Sequence, residues 1–306
     1  MPEPGATIAP GTVLSFAGGD YEILLDDGRI VAGRLRGRLK LEARTGDRVV
    51  AGDRVRVHEP ANGSTTIEAV EPRRSQLIRR APGHARRAKV IVANADQVVA
   101  VVAVAHPEPH LRMLDRLLVL AGSSGLPAII VVNKTDLAAE PDVRARFAAY
   151  PAAGYDVLFT SVLEERGIAD LRQRLCGRES VLTGPSGAGK SSLLNSVEPG
   201  LGLRVGAVSA AVHKGRHTTV TARLIPLATG GFVADTPGLR EVGLWGVDTG
   251  TLDTLFPEFR DRLGTCRFAR SCTHTHEPDC AIREAVDEGW IDRERFESYA
   301  AMREAG

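Results

Sequence analysis

A chain of 306 residues that is 43% hydrophobic and 25% charged can bury ordinary cores in two or three domains, which excludes a disordered chain. It contains no run of about eighteen apolar residues, and its first fifteen residues lack a basic start followed by an apolar core, so a cytoplasmic protein with no membrane partner is expected. A net charge of +1 leaves any attraction to nucleic acid to local patches, and four cysteines do not make a disulfide framework.

Residues 1–75 read as short strands at 12–16, 21–25, 29–35, 53–58 and 65–70. Turns such as Gly18-Gly19-Asp20 and Asp26-Asp27-Gly28 separate them, and period-two alternation is plain in Arg54-Val55-Arg56-Val57. Five strands in this length predict a small closed β-barrel, and the oligonucleotide-binding (OB) type is one such barrel. A ligand-free adaptor is the bland alternative, because barrels host many functions. Basic residues favour nucleic acid: Arg34, Arg36, Arg38 and Lys40 alternate, and residues 71–90 carry Arg73, Arg74, Arg79, Arg80, Arg86, Arg87 and Lys89 against Glu71 alone. Only Phe16 and Tyr21 lie nearby for base stacking, so backbone and shape recognition is expected from this linker.

Residues 76–245 change to an α/β pattern. Apolar runs at 90–92, 97–104 and 127–132, with leucines at helical spacing over 111–121, predict buried parallel strands alternating with helices. Ligands of such sheets bind at the carboxyl ends of the strands. Asn133-Lys134-Thr135-Asp136 ends one apolar run. The Asp136 carboxylate can accept from guanine N1 and N2, donors that adenine does not present together, while Asn133 tethers the loop and Lys134 covers the ring. Thr160-Ser161-Val162, after a strand at 156–159, is read as the loop supporting the guanine carbonyl, although Val162 stands where most GTPases have Ala.

Gly184-Pro185-Ser186-Gly187-Ala188-Gly189-Lys190-Ser191 follows a strand at 179–183 and fits the phosphate-cradling pattern GxxxxGK[ST]. The glycines let backbone N–H groups approach phosphate oxygens, and Lys190 and Ser191, with Ser192 after them, begin a helix whose amino end favours anions. Lys190 should contact the β- and γ-phosphates and the Ser191 hydroxyl should ligate Mg²⁺. An ordinary Gly-rich turn would not need this strand-turn-helix context.

Lys214-Gly215-Arg216-His217-Thr218-Thr219 occupies the place of a first switch, so Thr218 or Thr219 is a candidate Mg²⁺ ligand, Thr219 being favoured. Asp235-Thr236-Pro237-Gly238 follows an apolar stretch at 231–234, which places Asp235 to hold Mg²⁺ through water and the Gly238 N–H to sense the γ-phosphate. The next residue is Leu239, whose apolar side chain cannot hold the attacking water. His217 is then the candidate to orient it and Arg216 to stabilise transition-state charge, against the alternative of a solvated loop histidine. The guanine motif at 133 precedes the phosphate loop at 184, the reverse of the usual order, as in a GTPase whose ends were joined and cut elsewhere.

In residues 246–306, Cys266, Cys272, His274 or His276, and Cys280 crowd together. Three thiolates and one imidazole make a closed tetrahedral zinc site, structural rather than catalytic; buried unliganded cysteines are the alternative. Cys176 lies apart and is expected in the core.

Guanine motif, support loop, phosphate loop, switch threonines and DTPG, behind a barrel and ahead of a Cys/His cluster, together resemble the ribosome small-subunit-dependent GTPase A (RsgA) family over the whole chain. The resemblance implies a bacterial GTP hydrolase of late small-subunit maturation with three domains. These are an OB-type barrel (1–75), a circularly permuted P-loop GTPase domain (76–245) and a helical zinc domain (246–306). It implies GTP/GDP with Mg²⁺, one structural Zn²⁺, a monomer, and the small ribosomal subunit and its rRNA as partners of barrel and zinc domain. It carries Cys266, Cys272, His274 and Cys280 as ligands, with five residues between the first two where many relatives have four. Competing readings are a non-hydrolysing GTP-gated RNA-binding factor, which turnover would separate, and a P-loop kinase or ATPase, which Asp136 disfavours.

Overall fold

Period-two burial builds the N-terminal unit in a computed structural model that describes residues 7–37, 39, 49–60, 64–80, 88–203, 222–236 and 249–305. Strands β1 (Thr7–Ala17), β2 (Asp20–Leu25), β3 (Ile30–Leu35), β4 (Arg54–Glu59) and β5 (Thr66–Val70) close into a barrel of order β1-β2-β3-β5-β4. All five expected strands are present. β1 starts earlier than expected because its first half pairs with β4 and its second with β2, from Thr7 opposite Glu59 to Ala17 opposite Asp20. A bulge between Val13 and Ser15 bends it around the barrel. Val13, Ile23, Val55, Val57 and Ile67 fill the interior.

The barrel arginines are not free cations. Arg34 bonds Asp20 at 2.5 Å, Arg36 pairs with Glu68, Arg54 with Asp26, and Arg29 with Asp27 and Glu59. These pairs are open to solvent, so Arg34 and Arg36 can exchange them for phosphate; Arg38 and Lys40 lie outside the described residues.

Residues 76–80 and 88–93 are not an open linker. β6 (Gln76–Arg80) and β7 (Ala88–Ala93) form an antiparallel pair, so the run expected at 90–92 joins this pair rather than the parallel sheet. Leu77 and Val92 are buried with Leu14 and Ala51 of the barrel and Val98 of the sheet, which removes enough apolar surface to outweigh the charge of the segment. Arg73 is spent here too, bonding buried Asp53 at 2.7 and 3.0 Å, and Arg74 pairs with Asp96. Arg86 and Arg87 lie outside the described residues.

The central sheet has the order β10-β9-β8-β11-β13-β12. β8 (Gln97–Ala103), β9 (Ala128–Asn133), β10 (Asp156–Phe159), β11 (Arg178–Thr183) and β13 (Gly231–Asp235) are parallel, and β12 (Arg223–Pro226) is an antiparallel edge. β8 is buried at every position, which is why its sequence is a continuous apolar run rather than an alternating one. α1 (Leu111–Ser123) packs Leu114, Leu117 and Leu118 on one face of the sheet, and α4 (Ile168–Leu175) and α5 (Lys190–Val197) cover the other. Two short helices, α2 (Glu140–Arg146) and α3 (Ala149–Ala152), lie between β9 and β10. Cys176, expected in the core, instead caps α4 and is exposed, its thiol donating to the Thr229 carbonyl at 3.3 Å.

After residue 249 come short 3₁₀ turns, then α6 (Ala281–Asp287) and α7 (Arg293–Glu304). Phe256, Phe259 and Tyr299 stack within 5.0–5.4 Å of one another, and Val119 of α1 joins their cluster. Among the described residues no helix is long and apolar enough to cross a membrane.

Candidate nucleotide and metal sites

Parallel register brings the predicted motifs to one edge. Ala103 pairs with Asn133, Val132 with Phe159, and Leu182 with Asp235, so the loops leaving β9, β10, β11 and β13 start side by side. Glycine is required where these loops meet. A Cβ on Gly184, at φ +139°, would stand 2.0 Å from the Val101 carbonyl oxygen; one on Gly189, at φ +90°, would stand 2.3 Å from Asn133 Nδ2. Gly187 approaches Pro107 in the loop after β8. Lys190 opens α5, nearly buried, and its ammonium is aimed into the loop by the carbonyls of Gly184 and Pro185 at 2.8 and 2.6 Å. Ser191 is buried beside it, Pro185 and Ser192 are partly covered, and Ser186 is exposed at the loop's tip.

The guanine motif is bonded to the phosphate loop. Asn133 Nδ2 donates to the Ala188 carbonyl at 2.9 Å, and Thr160 Oγ1 donates to Asn133 Oδ1 at 3.1 Å, which fixes the amide's orientation. Thr135, through both its N–H and its hydroxyl, bonds the Thr160 carbonyl at 3.1 Å. Ser161 donates its hydroxyl to Asp136 Oδ1 at 2.5 Å and accepts from the Glu164 N–H, which orients the carboxylate while its remaining lone pairs can accept from a ligand. Lys134 takes a left-handed conformation, φ 62°, and its ammonium bonds the His106 carbonyl. Val162 is half-buried against the α4–α5 cluster, an apolar seat for which Ala is not needed.

Asp235 ends β13 beside Leu182, and the hydroxyl of Thr236 donates to the Leu182 carbonyl at 3.4 Å. His217, Thr218, Thr219 and Gly238, with Arg216 and Leu239, lie outside the described residues.

The C-terminal cluster passes a geometric test for zinc. Tetrahedral edges around Zn²⁺ are about 3.8 Å between sulfurs and about 3.6 Å between sulfur and nitrogen, given Zn–S of about 2.3 Å and Zn–N of about 2.0–2.1 Å. Cys266 and Cys280 sulfurs are 3.8 Å apart and lie 3.5 and 3.4 Å from His274 Nδ1; with Cys272 all four ligand atoms fall within 4.8 Å of one another. Burial pushes the Cys272 thiol up to about 12 and raises that of Cys280, so thiolates here need a cation. Burial also lowers His274, keeping the neutral, ligating form. Its Nε2 faces Asp253 at 3.6 Å, the carboxylate partner typical behind a metal-bound histidine. His276 is exposed and turned to Thr275, which decides for His274. The four residues can hold one zinc.

The sequence reading missed a buried ion network. Arg295 of α7 is 3% exposed and bonds Asp115 of α1 at 2.5 Å and Glu258 at 2.8 and 3.2 Å, with Tyr150 donating to the same Asp115 oxygen. A carboxylate on the apolar stripe of α1 was the available signal, since a buried Asp requires a cation.

Known proteins carry the same arrangement. The family described as RsgA GTPase matches residues 70–245. A protein of Gemmatimonas aurantiaca named small ribosomal subunit biogenesis GTPase RsgA is 50% identical over 300 residues, covering 97% of both chains. One of that name from Moorella thermoacetica is 42% identical over 289 residues, covering 94% of both. The crystal structure of YjeQ from Thermotoga maritima superposes with a TM-score of 0.79 at 35% identity, covering 98% of both chains. That of YloQ, described as a circularly permuted GTPase, gives 0.74 at 25%, covering 100% of this chain and 97% of the other. With guanine motif before phosphate loop, the barrel ahead and the Cys/His centre behind, this chain belongs to the RsgA GTPase family.

Proposed function

We propose that this protein hydrolyses GTP to GDP and phosphate as a factor in small ribosomal subunit biogenesis. The observation that carries the reading is the Asn133–Ala188 bond, which locks guanine recognition to phosphate binding, with Asp136 oriented by Ser161 to accept from N1 and N2 of the base. Relatives that match nearly the whole chain are named for that role.

In this reading Lys190 contacts the β- and γ-phosphates while the N–H groups of 186–189 cradle them. Mg²⁺ bound with GTP supplies charge neutralisation, and Ser191, Asp235 and Thr219 are the residues that would hold it. His217 orients the attacking water and Gly238 senses the γ-phosphate. The zinc centre is structural, since four protein ligands leave no open position. The division at 75 and 245, a monomeric cytoplasmic protein, and rRNA contact through the barrel and the segment 79–90 complete the proposal.

Multiple-turnover GTP hydrolysis with and without purified small subunits tests it. Slow intrinsic turnover with strong stimulation by subunits is expected. A single turnover without release, or equal rates on GTP and ATP, would reject a GTP hydrolase in favour of a gated binding factor or an ATPase.

A further inference from the structure

The C-terminal unit has the wrong charge for a phosphate-reading surface. Residues 249–305 carry twelve Asp and Glu against eight Arg and no Lys, a net −4 within a protein of net +1, and zinc held by three thiolates adds a further negative charge. Electrostatic attraction to RNA depends on excess cations, and this unit has the opposite excess.

Its most conspicuous exposed feature lies between α6 and α7. Trp290 is 75% exposed, although it is the largest kind of side chain and such residues are ordinarily covered. The backbone beneath it is fixed. The Trp290 and Ile291 N–H groups both bond the Ala285 carbonyl, at 2.9 and 3.1 Å, Gly289 turns the chain at φ +80°, and Ile291 is buried as the anchor beneath. Asp292 then caps α7 by accepting from the Arg295 N–H. On the residues flanking Trp290 in sequence, Asp287, Glu288, Asp292, Arg293 and Glu294 are all exposed, so four carboxylates and one guanidinium share one short segment with the aromatic. Arg293 reaches Asp287 at 3.2 Å and Arg262 reaches Glu288 at 3.9 Å, both open to solvent and exchangeable for a partner's cations.

We propose that this ridge, residues 287–294 centred on Trp290, docks a lysine- or arginine-rich protein segment of the small subunit rather than its RNA. The inference rests on the small-subunit reading above. An indole face attracts ammonium and guanidinium groups, carboxylates on the same segment pair with the same cations, and a Trp side chain with two rotatable bonds loses little entropy on contact. A phosphate backbone meeting the same ridge would face four like charges.

The test uses the full chain with a non-hydrolysable GTP analogue and purified small subunits. Trp290→Ala should weaken subunit binding by about 30-fold, the effect of losing a central aromatic anchor. Asp287→Lys with Glu288→Lys should weaken it comparably, and both variants should keep wild-type zinc content and GTP turnover without subunits. A photo-crosslinking amino acid in place of Trp290 should attach to subunit protein. Attachment to rRNA, to a second copy of this chain, or to nothing while binding persists would overturn the proposal, as would unchanged affinity in both variants. Failure of the wild-type protein to bind subunits would instead reject the underlying reading, and this inference with it.

Discussion

Gly189→Ala isolates the contact between base recognition and phosphate binding. The added methyl falls 2.3 Å from Asn133 Nδ2, the atom that donates to Ala188, in a backbone at φ +90°. Placing alanine in left-handed backbone costs about 1–2 kcal/mol. Displacing Asn133 removes a buried hydrogen bond whose loss costs about 1–3 kcal/mol. Together this is about 2–5 kcal/mol, or roughly a 30- to 5,000-fold loss of GTP affinity, because nucleotide binding requires both loops in register. Titration with a fluorescent GTP analogue, thermal unfolding and competition by ATP read the affinity, the stability and the base selectivity. The comparison is Gly187→Ala, where the backbone is also left-handed, φ +81°, but the new Cβ meets nothing closer than Pro107 at 3.2 Å. Gly189→Ala should lose discrimination between guanine and adenine as well as affinity, and Gly187→Ala should keep discrimination. If Gly189→Ala bound GTP within threefold of wild type at unchanged stability, or lost affinity without losing selectivity, the Asn133–Ala188 lock would not be what couples the two loops.

Asp136→Asn removes the acceptor that Ser161 orients and should shift preference from GTP to xanthosine triphosphate by at least about tenfold, measured by competition. Elemental analysis should find one zinc per chain. A strong chelator should loosen residues 264–280 in hydrogen exchange while α6 and α7, which keep their aromatic core, stay protected; protection unchanged throughout would deny the metal a structural role. Arg295→Met strands Asp115, 1% exposed, and should cost about 3–5 kcal/mol in denaturant unfolding, with Asp115→Asn added to it restoring part of the loss. Glu179 is pushed up to about 7 chiefly by burial, and its Oε2 has no partner, so the folded state holds this proton more tightly than an unfolded chain titrating near 4.5. Its contribution is present below about pH 4.5 and is lost as pH rises to about 7. Glu179→Gln should therefore stabilise by on the order of 1 kcal/mol at pH 8, after discounting for partial exposure, with no gain at pH 4.

Local pattern was enough wherever burial follows the backbone period. The five barrel strands and β8 to β11 lie within a few residues of their expected places because alternating or continuous apolar runs have one way to be covered. The phosphate loop and guanine motif were legible because glycine at positive φ and a tethering Asn are demands of short-range geometry. What escaped depends on partners far away in sequence. Arg73 and Arg74 read as free charge, but Asp53 and Asp96 consume them; nothing in a local window shows a pairing across twenty residues. Val90 to Val92 look like a sheet strand, yet β6 competes for them. Cys176 ends a helix whose apolar face stops one residue earlier at Leu175. His274 could be told from His276 only in three dimensions, where one faces two sulfurs and the other faces solvent.

The mounting of the zinc unit constrains how nucleotide state can reach it. In sequence, residues 237–248 run from the Asp235 strand end straight to Thr249, which suggests that a switch after β13 could swing the C-terminal unit as a tethered body. The structure supplies a second attachment. Val119 of α1 sits in the aromatic cluster, Leu255 packs within 3.4 Å of where a Gly122 side chain would begin, and Arg295 is buried against Asp115 one turn into the same helix. That helix starts just after the loop whose His106 carbonyl receives Lys134 and whose Pro107 abuts Gly187. Swinging the zinc unit away from α1 would expose the aromatic cluster and separate a buried ion pair, a cost of about 3–5 kcal/mol for the pair alone, close to the roughly 5.5 kcal/mol of differential affinity that takes a two-state equilibrium from 1:99 to 99:1. Any reorientation of the C-terminal unit would therefore have to carry α1 with it, and the loop before α1 touches the guanine motif and the phosphate loop. The C-terminal unit is thus joined to the sheet domain twice, in sequence through residues 237–248 after β13 and in space through the aromatic cluster and the Arg295–Asp115 pair on α1.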